Sequence, residues 1–221
     1  MKNVKHLQCI NCGKTYPAVP GVYTCSDCGS KDGILDVVYD YDYIAKNYSK
    51  KYFADNKNYS IWRYEPFLPT DPAGPKPSLR VGWSPLYQTK RLAEAIGLEK
   101  LYIKDDGQNP TASLKDRASA IAVAKAAEEK ASLIACSSTG NAASSVAGSA
   151  ASMGTKTCIF VPGRAPAGKV AQLRIFGANV ISVQGSYSDA FKLSAAAIEK
   201  YGWYNRNAAI NPYLVEGKKT V

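Results

Sequence analysis

The sequence predicts an α/β protein, a parallel sheet with helices on both faces, preceded by a small zinc-ribbon-like N-terminal segment. Three observations lead there. From residue 88 onward, short apolar runs alternate with longer, alanine-rich runs of helical period. Two Cys-x2-Cys pairs occupy the N-terminal region. Prolines recur between Pro66 and Pro85 too often for regular structure, which separates the two regions.

Taken in order, residues 1–38 are the cysteine segment. Cys9-x2-Cys12 and Cys25-x2-Cys28 are separated by twelve residues, and Gly13 and Gly29 stand where a metal knuckle must turn tightly. Four thiolates in two such hairpins match a tetrahedral zinc site with no open position, hence a structural one; disulfides or a metal-free thiol cluster are the alternatives. His6 would be a fifth ligand and is expected to be a bystander. The run Ile34–Val38 reads as a closing strand. Residues 39–80 form a linker and helical extension, helical in part around Tyr43–Phe53 and extended from Pro66 to Pro85. Its many tyrosines suit packing against a neighbouring domain better than base stacking. Residues 81–221 carry the alternating pattern: helix 88–96, strand 100–104, helix 113–130, strand 132–136, helix 141–153, strand 157–161, helix 167–176, strand 179–183, helix 187–201 and strand 203–205. Cys136 and Cys158 fall in apolar strands and read as small hydrophobes.

Length and composition exclude several classes. A chain of 221 residues has room for one large domain and a small appendage. No apolar run approaches the roughly 20 residues of a membrane span, and the polar start Met1–Lys5 has no signal-peptide core behind it, so a cytoplasmic protein is expected. The net charge of +10 is spread along the chain. Without a dense basic run or a basic helical stripe, nucleic acid is not the expected partner.

One segment stands apart from this background: Asn109-Pro110-Thr111-Ala112-Ser113-Leu114-Lys115-Asp116-Arg117. Turn residues 106–110 precede it, Thr111 or Ser113 is a plausible N-cap, and an alanine-rich helix follows. Lys115 therefore falls in a first turn, where the helix dipole disfavours the ammonium form and suits Asp116. An amine so placed can serve as a covalent handle. A second segment, Ser138-Thr139-Gly140-Asn141, lies between an apolar strand and a small-residue helix. A helix N-terminus of this kind suits an anion.

The lysine segment closely resembles the cofactor-lysine motif of threonine synthases, within the fold-type II pyridoxal phosphate enzymes, and the similarity runs from the cysteine pairs to the last residue. The family pattern has Gly where this chain has Ala112 and Phe where it has Leu114. The resemblance implies a fold of the tryptophan synthase beta type, with pyridoxal 5'-phosphate held covalently by Lys115. It also implies that Lys115 moves the substrate protons, that Asn141 hydrogen-bonds the cofactor ring oxygen, and that Ser138, Thr139, Gly140 and Asn141 hold the substrate carboxylate. The implied reaction is conversion of O-phosphohomoserine and water to threonine and phosphate, a carbon–oxygen lyase step of threonine biosynthesis. A homodimer is expected of the full-length protein. In the family the segment Glu216–Val221 lies near the middle of the polypeptide, so the resemblance implies a truncated chain whose glycine-rich phosphate loop is missing and which is inactive alone.

Four positions depart from the pattern. Ala142, Ala208, Ala209 and Leu214 stand where the family carries side chains that grip the substrate phosphate, and Trp83-Ser84 replace a usual Gly-Thr pair. Arg206, Asn207 and Lys218 are candidate replacements nearby in sequence. Two alternatives follow: a paralogue performing β-elimination, β-replacement or deamination on a serine derivative or other amino acid, and a zinc-ribbon binding protein that has lost catalysis.

Overall fold

The computed structural model describes residues 2–221. Strand β1 (Val4–Cys9) is the centre of an antiparallel sheet, with β2 (Thr15–Tyr16) on one side and β3 (Leu35–Tyr39) on the other; Leu7 faces Tyr16 and Val37 across the two ladders. Period-2 alternation turns Leu7 and Cys9 inward and leaves Gln8 in solvent, while Lys5 is exposed where the β1–β3 register shifts between Val4 and His6. The short helix α1 (Gly29–Asp32) leads from the second cysteine pair back to β3. Two short helices follow, α2 (Tyr41–Asn47) and α3 (Lys50–Asp55), each started by a side-chain cap: Asp40 accepts from Tyr43 N–H at 2.9 Å and Ser49 from Tyr52 N–H at 3.2 Å. A 3-10 turn over Ile61–Phe67 then buries Ile61 and Trp62, and the proline-rich stretch runs on without regular structure to residue 85.

One expected element changes partners. The strand expected at 100–104 is β5 (Tyr102–Lys104), and it pairs antiparallel with β4 (Leu86–Gln88), outside the parallel sheet. Between them lies α4 (Lys90–Ala95), six residues rather than the expected 88–96. Such a helix is about 9 Å long. It reverses the chain beside the strand just left, without the longer crossover that parallel pairing needs.

The parallel sheet has the order β8–β7–β6–β9, with β6 Ile134–Ser137, β7 Thr157–Pro162, β8 Asn179–Val183 and β9 Tyr204–Asn205. Alternation along these strands builds two layers. Ile134, Cys136, Ile159 and Val161 pack against α5 (Lys115–Glu128), α6 (Asn141–Ala151) and Leu173 of α7 (Ala167–Ile175). Ala135, Cys158 and Phe160 pack against Ala190 and Ile198 of α8 (Tyr187–Tyr201) on the opposite face. Helices on both faces of a parallel sheet are thus present as expected. Alanine lets the helices approach closely: Ala118, Ala122, Ala126, Ala143, Ala147 and Ala150 are all buried between α5, α6 and the sheet. The last helix, α9 (Tyr213–Lys218), lies against α5 so tightly that a Cβ on Gly217 would sit 2.1 Å from the Arg117 carbonyl oxygen. The other side of α5 is covered from the N-terminal end of the chain. Leu7, Cys9, Cys25, Leu35, Ile61 and Trp62 form one buried cluster with Ala120, Ile121, Ala124 and Tyr213.

The chain direction decides where ligands can meet. Helix α5 ends at the start of β6, and α6 begins where β6 ends, so the N-termini of both helices lie at the carboxyl edge of the sheet. The residues following β9 emerge at that same edge. Parallel α/β sheets bind ligands there.

Candidate active site

The residues of the 109–117 motif divide between holding the loop and facing outward. Asn109 is buried; its Oδ1 accepts from Gly82 N–H at 2.9 Å and its Nδ2 donates to the Asp106 carbonyl at 3.0 Å. Asp116 turns inward, accepting the Thr111 N–H at 2.7 Å and the Thr111 hydroxyl. Arg117 is 1% exposed and makes a two-pronged contact with Asp106, Nε to Oδ2 at 2.7 Å and Nη2 to Oδ1 at 2.8 Å, while Nη1 donates to the Thr220 carbonyl at 2.6 Å. The Arg117 guanidinium holds the Asp106 carboxyl below the usual carboxylate range. Between these anchored neighbours Lys115, the first residue of α5, is half-buried, and no carboxylate among the described residues lies within 4.0 Å of its amine. The expected cap is corrected: Leu114 occupies the N-cap position, Ser113 Oγ accepts the Lys115 N–H at 3.0 Å, and Thr111 serves Asp116 instead. Two side chains before the helix are thereby committed to the loop, which leaves the lysine as the group presented.

The second expected segment starts α6. Gly140 is its N-cap residue, Ser138 N–H donates to the Phe160 carbonyl at 3.2 Å, and Gly140 N–H donates to Ser138 Oγ at 3.2 Å. Ser138, Thr139 and Gly140 are half-buried and Asn141 is exposed. Lys169 donates to Asn141 Oδ1 at 3.0 Å, which turns the amide so that Nδ2 remains as a donor for a ligand oxygen. Nothing in the sequence pointed to Lys169 or to Asp106, because each acts through a partner remote in the chain. The chemistry of this donor set fits pyridoxal phosphate: an amine without an acid partner, a carboxamide donor, and a helix N-terminus for an anion. Of the departures, Ala208 and Ala209 are exposed, Ala142 is half-buried, and Leu214 is packed at 1% exposure into the core between α5 and the sheet.

The four N-terminal cysteines come together as their spacing predicts. The sulfurs of Cys9, Cys12, Cys25 and Cys28 all lie within 4.8 Å of one another, and all are free thiols. Gly13 and Gly29 adopt φ of 76° and 71°, and their N–H groups donate to Cys9 and Cys25 carbonyls at 3.0 Å, closing the two knuckles. The Tyr16 hydroxyl, donating to Cys25 Sγ at 3.0 Å, lowers that thiol to about 6, whereas the neighbouring Cys12 pushes Cys28 up to about 12. Four thiolates at this spacing repel unless a cation sits among them. The donor set fits zinc, and His6 is not part of it.

A parallel layer whose carboxyl edge carries an unpaired lysine, a donor amide and a helix N-terminus fits an anionic, amine-reactive cofactor. Comparison with known proteins agrees. The profile of the family described as "Pyridoxal-phosphate dependent enzyme" matches residues 77–221, and the chain belongs to that family. It is 40% identical over 217 residues to the threonine synthase of Methanosarcina acetivorans, covering 98% of this chain and 51% of that protein. It is 37% identical to the threonine synthase of Methanocaldococcus jannaschii, covering 97% of this chain and 52% of that one. The chain thus spans about half the length of these curated relatives. Among solved structures, Escherichia coli diaminopropionate ammonia lyase superposes with a TM-score of 0.58 at 21% identity, over 78% of this chain and 46% of the other. Tomato threonine deaminase superposes with a TM-score of 0.56 at 23% identity, over 62% and 38%. These two likenesses concern the fold.

Among the described residues, no helix is long and apolar enough to cross a membrane.

Proposed function

We propose that this chain supplies the lysine-bearing layer of a threonine synthase, which converts O-phosphohomoserine and water to threonine and phosphate. The observation that carries the reading is Lys115: half-buried, without an acid partner, and presented at the carboxyl edge of a parallel sheet beside Asp116 and Arg117, which turn inward. When bound, pyridoxal phosphate supplies an electron sink for the substrate α-carbon. Lys115 Nζ would hold the cofactor and would take the proton from the substrate α-carbon. Asn141 Nδ2 would donate to the cofactor ring oxygen, and the Ser138–Gly140 loop would hold the substrate carboxylate at the start of α6. Cys9, Cys12, Cys25 and Cys28 hold a structural zinc.

A second reading is favoured by the side chains that are missing. Ala142, Ala208, Ala209 and the core residue Leu214 offer no donor where the family pattern grips phosphate, which suits a paralogue acting on a serine derivative. The test is incubation of the full-length enzyme that contains this layer with pyridoxal phosphate and O-phosphohomoserine, beside its Lys115→Ala variant. Threonine and phosphate in equal amounts, falling at least about 100-fold in the variant, are expected. Turnover of serine or O-phosphoserine with no threonine formed supports the second reading instead.

A further inference from the structure

The two arms of the cysteine centre are joined by polar side chains as well as by sulfur. Tyr16, in β2 just after the first knuckle, directs its hydroxyl at Cys25 Sγ in the second, 3.0 Å away. Asn11, inside the first knuckle, donates to Cys28 Sγ at 3.5 Å. Each sulfur of the second pair therefore receives a donor from the arm that carries the first. Cys25 is buried and Tyr16 half-buried, so water competes little for that sulfur.

Proton supply fixes the direction of the Tyr16 bond. The tyrosine oxygen accepts the Ser26 N–H at 3.0 Å and lies 3.1 Å from Ser26 Oγ, so its one proton has two candidate acceptors. Ser26 Oγ is already engaged, donating to Asp27 Oδ1 at 2.9 Å and accepting from Lys14 Nζ at 3.3 Å. Lys14 also reaches both Asp27 oxygens, at 2.8 and 3.0 Å, which keeps that group a carboxylate with no proton to return. The Ser26 hydroxyl is thus turned away from Tyr16. The tyrosine proton is left for the sulfur, which becomes the stronger acceptor once ionised by a metal.

We propose that Tyr16 is a positioning residue for the metal centre: its hydroxyl fixes the Cys25 thiolate and draws off part of its charge, as Asn11 does at longer range for Cys28. Four thiolates outweigh a divalent cation, so the loaded centre is an anion, and donors from outside the ligand set stabilise it. The same bond ties the strand after one knuckle to a ligand in the other. Metal uptake at Cys25 and pairing of β2 with β1 therefore favour each other. The role rests on the reading of the four cysteines as a zinc site and is independent of the cofactor chemistry at Lys115.

The test is the zinc affinity of the full-length protein that carries this segment, measured at fixed pH by competition with a chromophoric chelator, for wild type, Tyr16→Phe and Asn11→Ala. Phenylalanine keeps the ring in its place opposite Leu7 and removes only the hydroxyl. Tyr16→Phe is expected to weaken zinc binding about 10-fold or more, and Asn11→Ala, whose bond is longer, by less. Lost packing would also weaken binding, so the second readout is the sulfur itself. In the difference spectrum of cobalt-loaded minus metal-free protein, the sulfur-to-metal charge-transfer band moves to lower energy when a donor leaves the thiolate. Val37→Ala, on the other side of β1, removes packing from the same cluster and leaves the band in place. Equal zinc affinity, or an unmoved band, in Tyr16→Phe overturns the role of Tyr16 while the zinc centre stands. Wild-type protein that takes up no zinc overturns the zinc reading and this role with it.

Discussion

The cysteine segment and the parallel layer are held together by different means. Between Cys9 and Leu35 few side chains are buried, and the chain is organised by two glycine knuckles and four converging sulfurs. The parallel layer has two packed faces, with alanine, isoleucine and valine meeting on one and Phe160 on Ala190 and Ile198 on the other. The first is organised around ligand chemistry and the second around shape. They are nevertheless joined, because Leu7, Cys9, Cys25 and Leu35 pack on the side of α5 that bears Ala120, Ile121 and Ala124. A metal at the sulfurs would therefore support the helix that presents Lys115, from the side opposite the sheet.

The comparison breaks first at the metal. Chelation of the zinc-loaded protein, or Cys12→Ser, is expected to release the segment, because a structural zinc contributes on the order of 10 kcal/mol to a small domain's folding. Hydrogen exchange checks it: the β1 and β3 amides lose protection while β6 and β7 keep theirs. Unchanged exchange in β1 would mean that packing against α5 suffices. The next largest effect lies in the layer. Gly217→Ala places a Cβ 2.1 Å from the Arg117 carbonyl oxygen and 2.6 Å from its carbon, both backbone atoms that cannot swing aside. Separation of α9 from α5 is expected to cost about 3 kcal/mol or more, read as a lower urea midpoint. Gly154→Ala, with nothing within 4 Å and φ of 66°, is the control, and should lose only about 1 kcal/mol of backbone strain.

How much of this was legible in the sequence depended on whether the signal was local. Helix α8 runs over 187–201 as expected because its punctuation is written in place: Ser186 and Asp189 form a capping box and Gly202 turns left-handed with φ of 65°. The cysteine pairs and their glycines likewise carry their geometry within a few residues. Strand β5 did not, since period and composition mark an extended run but not the strand beside it. The lysine motif was legible as a handle, whereas the roles of its neighbours were not. Arg117 reaches Asp106 and Thr220, and Arg206 reaches Ser119, 87 positions earlier. The contacts with Thr220 and Arg206 exist only once β9 and α9 have folded back on α5.

Backbone strain gives the smallest and most discriminating effect. Ala112 and Trp83 have φ of 56° and 52°, left-handed values that favour glycine, and both stand where the resembling family pattern has glycine. Each carries about 1 kcal/mol of strain, but their surroundings differ. Ala112 is exposed and its methyl makes no contribution to the core, so Ala112→Gly relieves strain against a more flexible unfolded chain, a net gain of roughly 0.5 kcal/mol. Trp83 lies 4.4 Å under the Arg63 guanidinium and 5.1 Å from the Tyr59 ring. Trp83→Gly removes both contacts, and Arg63 is 8% exposed without an acid partner, so this variant should lose about 1 kcal/mol or more despite the same relief. Thermal melts of the two variants therefore move in opposite directions; a shared sign would show that ring packing does not offset the strain at Trp83, and that the loop ahead of Ser84 is held by its backbone bonds, Gly82 N–H to Asn109 and Ile61 N–H to the Val81 carbonyl.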